Sequence, residues 1–205
     1  MTTLTTLALG GFAVVRLKQA TAQLDEVTSR YMPAVQYLER IRSDLAEIRI
    51  AELSQLSHLD EPQFVAEYNQ RISDQRQKLA EHRKQYEALT ASTEQQRLYA
   101  QMQTTMESYF SAHALMEKAI GDGQHELAQT ISNDQSRVSR RELFDAVEQL
   151  SVYVVSALDR EVALANATQA RSITVIFLCM ALLGILSAAL GVVIVRSIVG
   201  PVGAA

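Results

Sequence analysis

SITVIFLCMALLGILSAALGVVIV, residues 172–195, carries no charged side chain along its whole length. At the rise of an α-helix, roughly 24 residues are enough to span the hydrocarbon core of a bilayer. Arg171 and Arg196 flank the run and reach the two headgroup regions. A buried helix of a water-soluble core seldom runs this far without one ionic group. Gly184, Ala188 and Gly191 recur at four- and three-residue steps, which would let a second helix approach closely. Ordinary lipid-facing composition accounts for the same spacing.

Working back from this run, no helix breaker separates it from the segment before it. Arg140, Leu143, Val147, Leu150, Val154, Ala157 and Leu164 fall on one helical stripe that feeds into it. Three more stripes precede that one. The first holds Leu24, Val27, Tyr31, Leu38, Ile41, Leu45 and Ile48, with Pro33 inside it, so a kink or local opening is expected there. The second holds Val65, Tyr68, Ile72, Gln75, Leu79, His82, Tyr86 and Leu89; the third holds Leu98, Met102, Thr105, Tyr109, Ala112 and Met116. The connections carry the expected punctuation. Asp60 is placed to cap the second helix, with Pro62 in its first turn. Ser92 and Gln95 have capping-box spacing. Gly121-Asp122-Gly123 is the clearest break, with Asp122 placed to help cap the next helix. Four stripes joined by three short connections predict an all-α fold: an antiparallel up-down-up-down four-helix bundle whose first and fourth helices continue into transmembrane helices.

The N-terminal stretch TTLTTLALGGFAVV is apolar for about 14 residues, short for a full span. No basic segment precedes it and no small-residue cleavage pattern comes after it, so it does not read as a signal peptide. It reads as the outer part of a first transmembrane helix whose cytoplasmic beginning is missing. The expected organisation is a partial first span at 1–15, a four-helix segment at 16–171, a second span at 172–195, and a short distinct segment at 196–205. Two spans place the middle segment on one side of the membrane and both termini on the other.

Composition narrows the function. Eight glycines and three prolines in 205 residues leave few places to break a helix. Basic residues are scattered among acids at a net charge of −4, so no nucleic-acid footprint is present. The single cysteine, Cys179, sits inside the apolar run and forms no intrachain disulfide. His58, His82, His113 and His125 lack metal-ligand spacing with Glu or Cys, and none of the common hydrolase, zinc or phosphate-loop motifs occurs. The chain reads as a non-enzyme with no cofactor and no metal. His82, on an apolar stripe, reads as a core histidine with one hydrogen bond.

A binding site is the better expectation. Counted down from the distal turns, Arg42, Gln75, Thr105 and Arg140 fall at a common depth of about 20–24 Å. Gln75, Thr105 and Arg140 occupy stripe positions where leucine would pack better, and polar groups there cost stability unless paired. Arg137 and Arg141 lie one turn away, and Arg49 two turns above Arg42. Arginine forks favour carboxylates. The expected ligand is a small organic anion, such as a di- or tricarboxylate, held in this layer and across a dimer interface. The bland alternative is that each polar residue only sets register, with Arg137, Arg140 and Arg141 on a solvated face beside Asp134, Glu142 and Glu148.

Short span, four-helix segment, second span, then RSIVGPV at 196–202: this order resembles the N-terminal half of bacterial methyl-accepting chemotaxis proteins. YMPAVQYLERIRSDLAEIRIAEL at 31–53 is similar to the family's first sensor helix, with a proline followed by leucines and arginines. RSIVGPV resembles the opening of a HAMP domain, the relay module that comes after the second span. The resemblance covers essentially the whole chain and rests mainly on the order of its parts. It implies a homodimer in the bacterial inner membrane that can join higher receptor arrays, with a periplasmic sensor domain and cytoplasmic termini. It implies a ligand held between the first and fourth helices near the distal end, by arginines of the first and a threonine of the fourth. Arg42 and Arg49 match the arginines, without the family's close cluster of three. The fourth helix offers Thr130 and the 137–141 arginines. Ligand binding would then shift the fourth helix and signal through the second span. The same input module also serves sensor histidine kinases and cyclases, and a ligand-free structural four-helix membrane protein would share the pattern.

Overall fold

The computed structural model describes Gly11, Val14, Val15, Lys18, Thr21, Ala22, and residues 24–90 and 92–202. The chain divides into two compact units, Val27–Asp159 and a second made of Met1–Glu26 with Arg160–Ala205.

The first unit is the bundle. It opens with a π-helical turn, Val27–Tyr31, followed by α1, Met32–Ser57. The local opening expected at Pro33 is this wide turn. The proline ring would clash with the carbonyl of Ser29 in a regular helix, and the wider turn relieves it. α2 is Pro62–Glu87, α3 is Thr93–Gly121, and a short α4, His125–Asn133, precedes α5, Gln135–Val202. The fourth helix of the bundle therefore starts in two pieces, broken at Asp134, where one continuous helix was expected.

Capping chemistry explains the connections, with two corrections. Pro62 occupies the first turn of α2 as expected, but Glu61 precedes it and no side chain caps that end. Asp60 points elsewhere, its Oδ1 3.5 Å from His125 Nδ1. Ser92 Oγ accepts from Gln95 N at 3.1 Å, the predicted cap of α3. Gln95 Nε2 donates to the Tyr86 hydroxyl at 3.0 Å. Asp122 is the C-cap of α3 and does not cap α4. Gly123 comes next with φ of 70°, and the amides of Gly123 and Gln124 reach back to the carbonyls of Ile120 and Ala119 at 3.0 and 2.8 Å. This is a Schellman closure, which needs a residue free to take positive φ.

The core tracks the stripes. Leu38, Ile41, Leu45 and Ile48 from α1 meet Ile72, Leu79 and Tyr86 from α2, Leu98, Met102, Met106 and Tyr109 from α3, and Leu143, Val147, Leu150 and Val154 from α5. Burial of each large apolar side chain stabilises by about 1.5–3 kcal/mol, so this cluster is what makes four helices one body. A smaller apolar cluster of Met116, Ala119, Ala128 and Ile131 joins α3 to α4.

In the second unit, Leu24 and Leu164, read as stripe residues, are exposed. The helix that carries the apolar run is the one described helix long and apolar enough to cross a membrane. Phe177, Leu178, Met180, Leu182 and Ile185 on it are exposed, as are Gly184, Ala188 and Gly191. The N-terminal span expected at 1–15 lies almost wholly outside the described residues.

Candidate functional site

Two polar clusters interrupt the apolar bundle. The lower one is built on Asp44 of α1, which is buried. His82 Nδ1 lies 2.6 Å from Asp44 Oδ2, and Gln75 Nε2 donates to Asp44 Oδ1 at 3.3 Å. His82 thus makes the hydrogen bond that its stripe position predicts, although its ring is part-exposed at the edge of the core. Gln75 has its partner inside the fold. Thr105 is likewise occupied locally: its hydroxyl donates to the carbonyls of Gln101 and Met102 at 3.2 and 3.0 Å.

The upper cluster is larger. Two turns above Asp44, the α1 stripe continues into Glu52, which is wholly buried. Arg49 Nη1 donates to Glu52 Oε2 at 3.1 Å and to Ser132 Oγ of α4 at 3.2 Å. On the other side, His113 of α3 places Nδ1 2.8 Å from Glu52 Oε1 and Nε2 3.2 Å from Glu117 Oε1. These angles fall short of well-aligned hydrogen bonds, so charge attraction carries much of both contacts. Tyr109 faces the same carboxylate.

Electrostatics emerge from that geometry. Burial alone would raise the Glu52 carboxyl, but His113, with Tyr109 and Arg49, holds it below the usual carboxylate range. Burial alone would lower His113; its contacts with Glu117 and Glu52, and their charges, push it up to about 9. Contact with His113 lowers Glu117 against the effect of its partial burial. His113 is therefore an imidazolium at neutral pH, clasped between two carboxylates.

Arg140, on α5, completes the cluster from the opposite side. It is half-buried and its pKa is lowered, first by burial and then by the positive charge of Arg49, with Arg137 adding to the effect; Tyr109 and Glu52 act the other way. Among the described residues Arg140 makes no ion pair within 4.0 Å. Arg137 and Arg141 are exposed and, with Val138, Glu142 and Asp145, line a cleft of about 280 Å³. Arg42 is exposed as well and bonds Glu148 of α5 at 3.3 Å. Among the described residues no group of three or more His, Cys, Asp or Glu side chains is arranged to hold a metal ion.

The cluster joins the first and last helices of the bundle, with Arg49 on one and Arg140 on the other. The model of a four helix bundle sensory module for signal transduction matches residues 1–167. The chain belongs to this family. A comparison with curated proteins finds no match.

Within this sensory module, the predicted site residues separate. Arg49 and Arg140 come together, with Arg137 near enough to be felt by Arg140. Arg42, Gln75 and Thr105 each engage their own neighbours. Sequence reading missed Asp44, Glu52, His113, Glu117 and Ser132. A signal for two of them was available. Glu52 succeeds Leu38 and Leu45 at the next heptad step, and His113 lies between Tyr109 and Met116 on the α3 stripe. Both are stripe positions held by ionisable residues, the same criterion that singled out Arg140.

Proposed function

We propose that this sensory module is the input half of a transmembrane chemoreceptor. It binds a small organic anion beside Arg49 and Arg140, with Arg137 and Arg141 at the entrance. The sensor segment then lies in the periplasm and both termini in the cytoplasm. The observation that carries this reading is Arg140: a half-buried guanidinium, pressed by two other arginines, with no carboxylate of its own among the described residues. A di- or tricarboxylate supplies the missing negative charge, and guanidinium forks take it in bidentate fashion.

Dimer formation fits the same two helices. Ile50 and Leu53 of α1, and Val138, Val152 and Val155 of α5, are exposed apolar residues on the first and last helices. A second copy would cover them and bring its own arginines to the site. The signal path in this reading is α5, assigned as one helix from Gln135 to Val202, which carries the apolar run and the HAMP-like opening at Arg196. Ligand contact on its early turns would bias the position of this helix.

The test is calorimetry of the full chain in lipid nanodiscs against succinate and citrate. Saturable binding that disappears in Arg140→Ala is expected. Absence of heat with both acids, or unchanged binding in Arg140→Ala, would overturn the assignment.

A further inference from the structure

A second cationic recess lies on a different seam of the bundle, between α2 and α3. Arg76 and Arg83 stand seven residues apart on α2, so both present to the same side of that helix. With Met106, Glu107, Phe110 and Ser111 of α3 they line a groove of about 520 Å³. The groove is shallow and open to solvent, so its side chains rather than enclosure hold a ligand there. No residue of the Arg49–Arg140 cluster borders it.

The groove has chemistry as well as volume. The Arg76 guanidinium carbon sits 4.4 Å from the centre of the Phe110 ring, which holds the cation against an aromatic wall. Arg83 is half-buried, and its Nε is shielded from solvent with no hydrogen-bond partner. A shielded guanidinium N–H without an acceptor is costly, so the Arg83 head group is under-satisfied in the ligand-free fold. Neither arginine makes an ion pair within 4.0 Å among the described residues. Glu117 feels the charge of Arg76 from the side, but that carboxylate is already committed to His113. Two cations and one carboxylate, Glu107, line the groove, leaving one positive charge to be met.

We propose that the α2–α3 groove is an anion site that takes an aromatic monocarboxylate, its carboxylate on Arg83 and its ring beside Phe110. The single surplus charge selects a monoanion over the di- and tricarboxylates suited to the three arginines near Arg140. The apolar wall selects a ring over a short acid such as acetate. The sensory module then reads two chemical classes at two seams. This assignment does not depend on the one at Arg140.

Calorimetric titration of benzoate into the full chain in lipid nanodiscs, against empty nanodiscs, tests it. Saturable binding near one benzoate per chain is expected. It weakens at least tenfold in Arg83→Gln and in Ser111→Phe, which fills the groove, and is unchanged in Arg140→Gln. Glu107→Gln removes the competing carboxylate and tightens binding severalfold, a gain that misfolding cannot imitate. Absence of saturable binding overturns the proposal, as does retention in Arg83→Gln, loss in Arg140→Gln, or weakening in Glu107→Gln.

Discussion

His113 Nδ1 and Glu52 Oε1 lie 2.8 Å apart, and both side chains have no exposed surface. An ion pair this deep is stable only because each partner is further supported: Glu52 by Arg49, His113 by Glu117. It joins α1 to α3 through charge where the rest of the bundle uses apolar packing.

Stability should fall on the alkaline side. His113 is raised in the folded state to about 9, from about 6.5 unfolded. Its contribution is fully present below pH ~6.5 and is lost as pH climbs through about 9. Glu52 and Glu117 are lowered, so their contribution is present above their ordinary values near 4.5 and lost as pH falls below them. Thermal melts should therefore peak between pH ~5 and ~6.5. The alkaline loss by pH 9.5 is on the order of 2–3 kcal/mol. In His113→Gln that limb flattens; an alkaline limb of unchanged height would show that another group titrates there.

Removing one member of the cluster should cost according to burial. Glu52→Gln leaves a buried imidazolium and Arg49 facing a neutral amide, and the expected loss is about 3–5 kcal/mol. Glu117 is partly exposed, with 39% of its side chain accessible, so water can replace it and Glu117→Gln should cost no more than about 1 kcal/mol. Urea unfolding of the two variants gives the ordering. Equal losses would mean that the two carboxylates share the imidazolium evenly.

Gly121 and Gly123, on either side of Asp122, should respond oppositely to alanine. Neither has any neighbour within 4 Å of an added Cβ, so backbone conformation alone decides. Gly123 has φ of 70° and closes α3, so Gly123→Ala should destabilise by about 1 kcal/mol. Gly121 is the last helical residue of α3, and Gly121→Ala should be neutral or stabilising by up to about 1 kcal/mol. Melting temperatures that fall together would contradict the assignment of the Schellman closure.

The bundle was legible because its core positions repeat. Leu38, Ile41, Leu45 and Ile48 recur at helical spacing, and all are buried. Pairing between helices has no such local signature. Gln75 reads as an unfilled polar core position until Asp44 is found on the neighbouring helix, 31 residues away in sequence. Asp44 itself falls between Ile41 and Ile48 on the apolar side of α1, and its charged neighbours Arg42 and Glu47 make it read as part of a solvated face. The same holds at Asp134, where one helix was expected to run through. The break there lies in φ and ψ of −107° and −76° at one residue, with no proline or glycine to announce it. Arg140 stood out in the sequence because a cation on a stripe is improbable unless something answers it.

That cation supports a prediction with a change of sign. In the absence of ligand, Arg140 is partly buried and held near Arg49 and Arg137, and the net effect disfavours its charge. Arg140→Gln keeps most of the side-chain volume and removes the repulsion, so the free variant should melt slightly higher than the parent chain, by about 1–2 °C. An anion that binds only the folded state adds RT ln(1 + [L]/Kd), about 2.7 kcal/mol at a hundredfold excess over Kd. The parent chain should gain that increment with citrate and the variant should not, so their order reverses across a citrate titration. Melting curves of both chains at rising citrate decide it. A variant less stable than the parent without citrate would assign Arg140 a packing role, whereas parallel curves with citrate would remove it from the binding site.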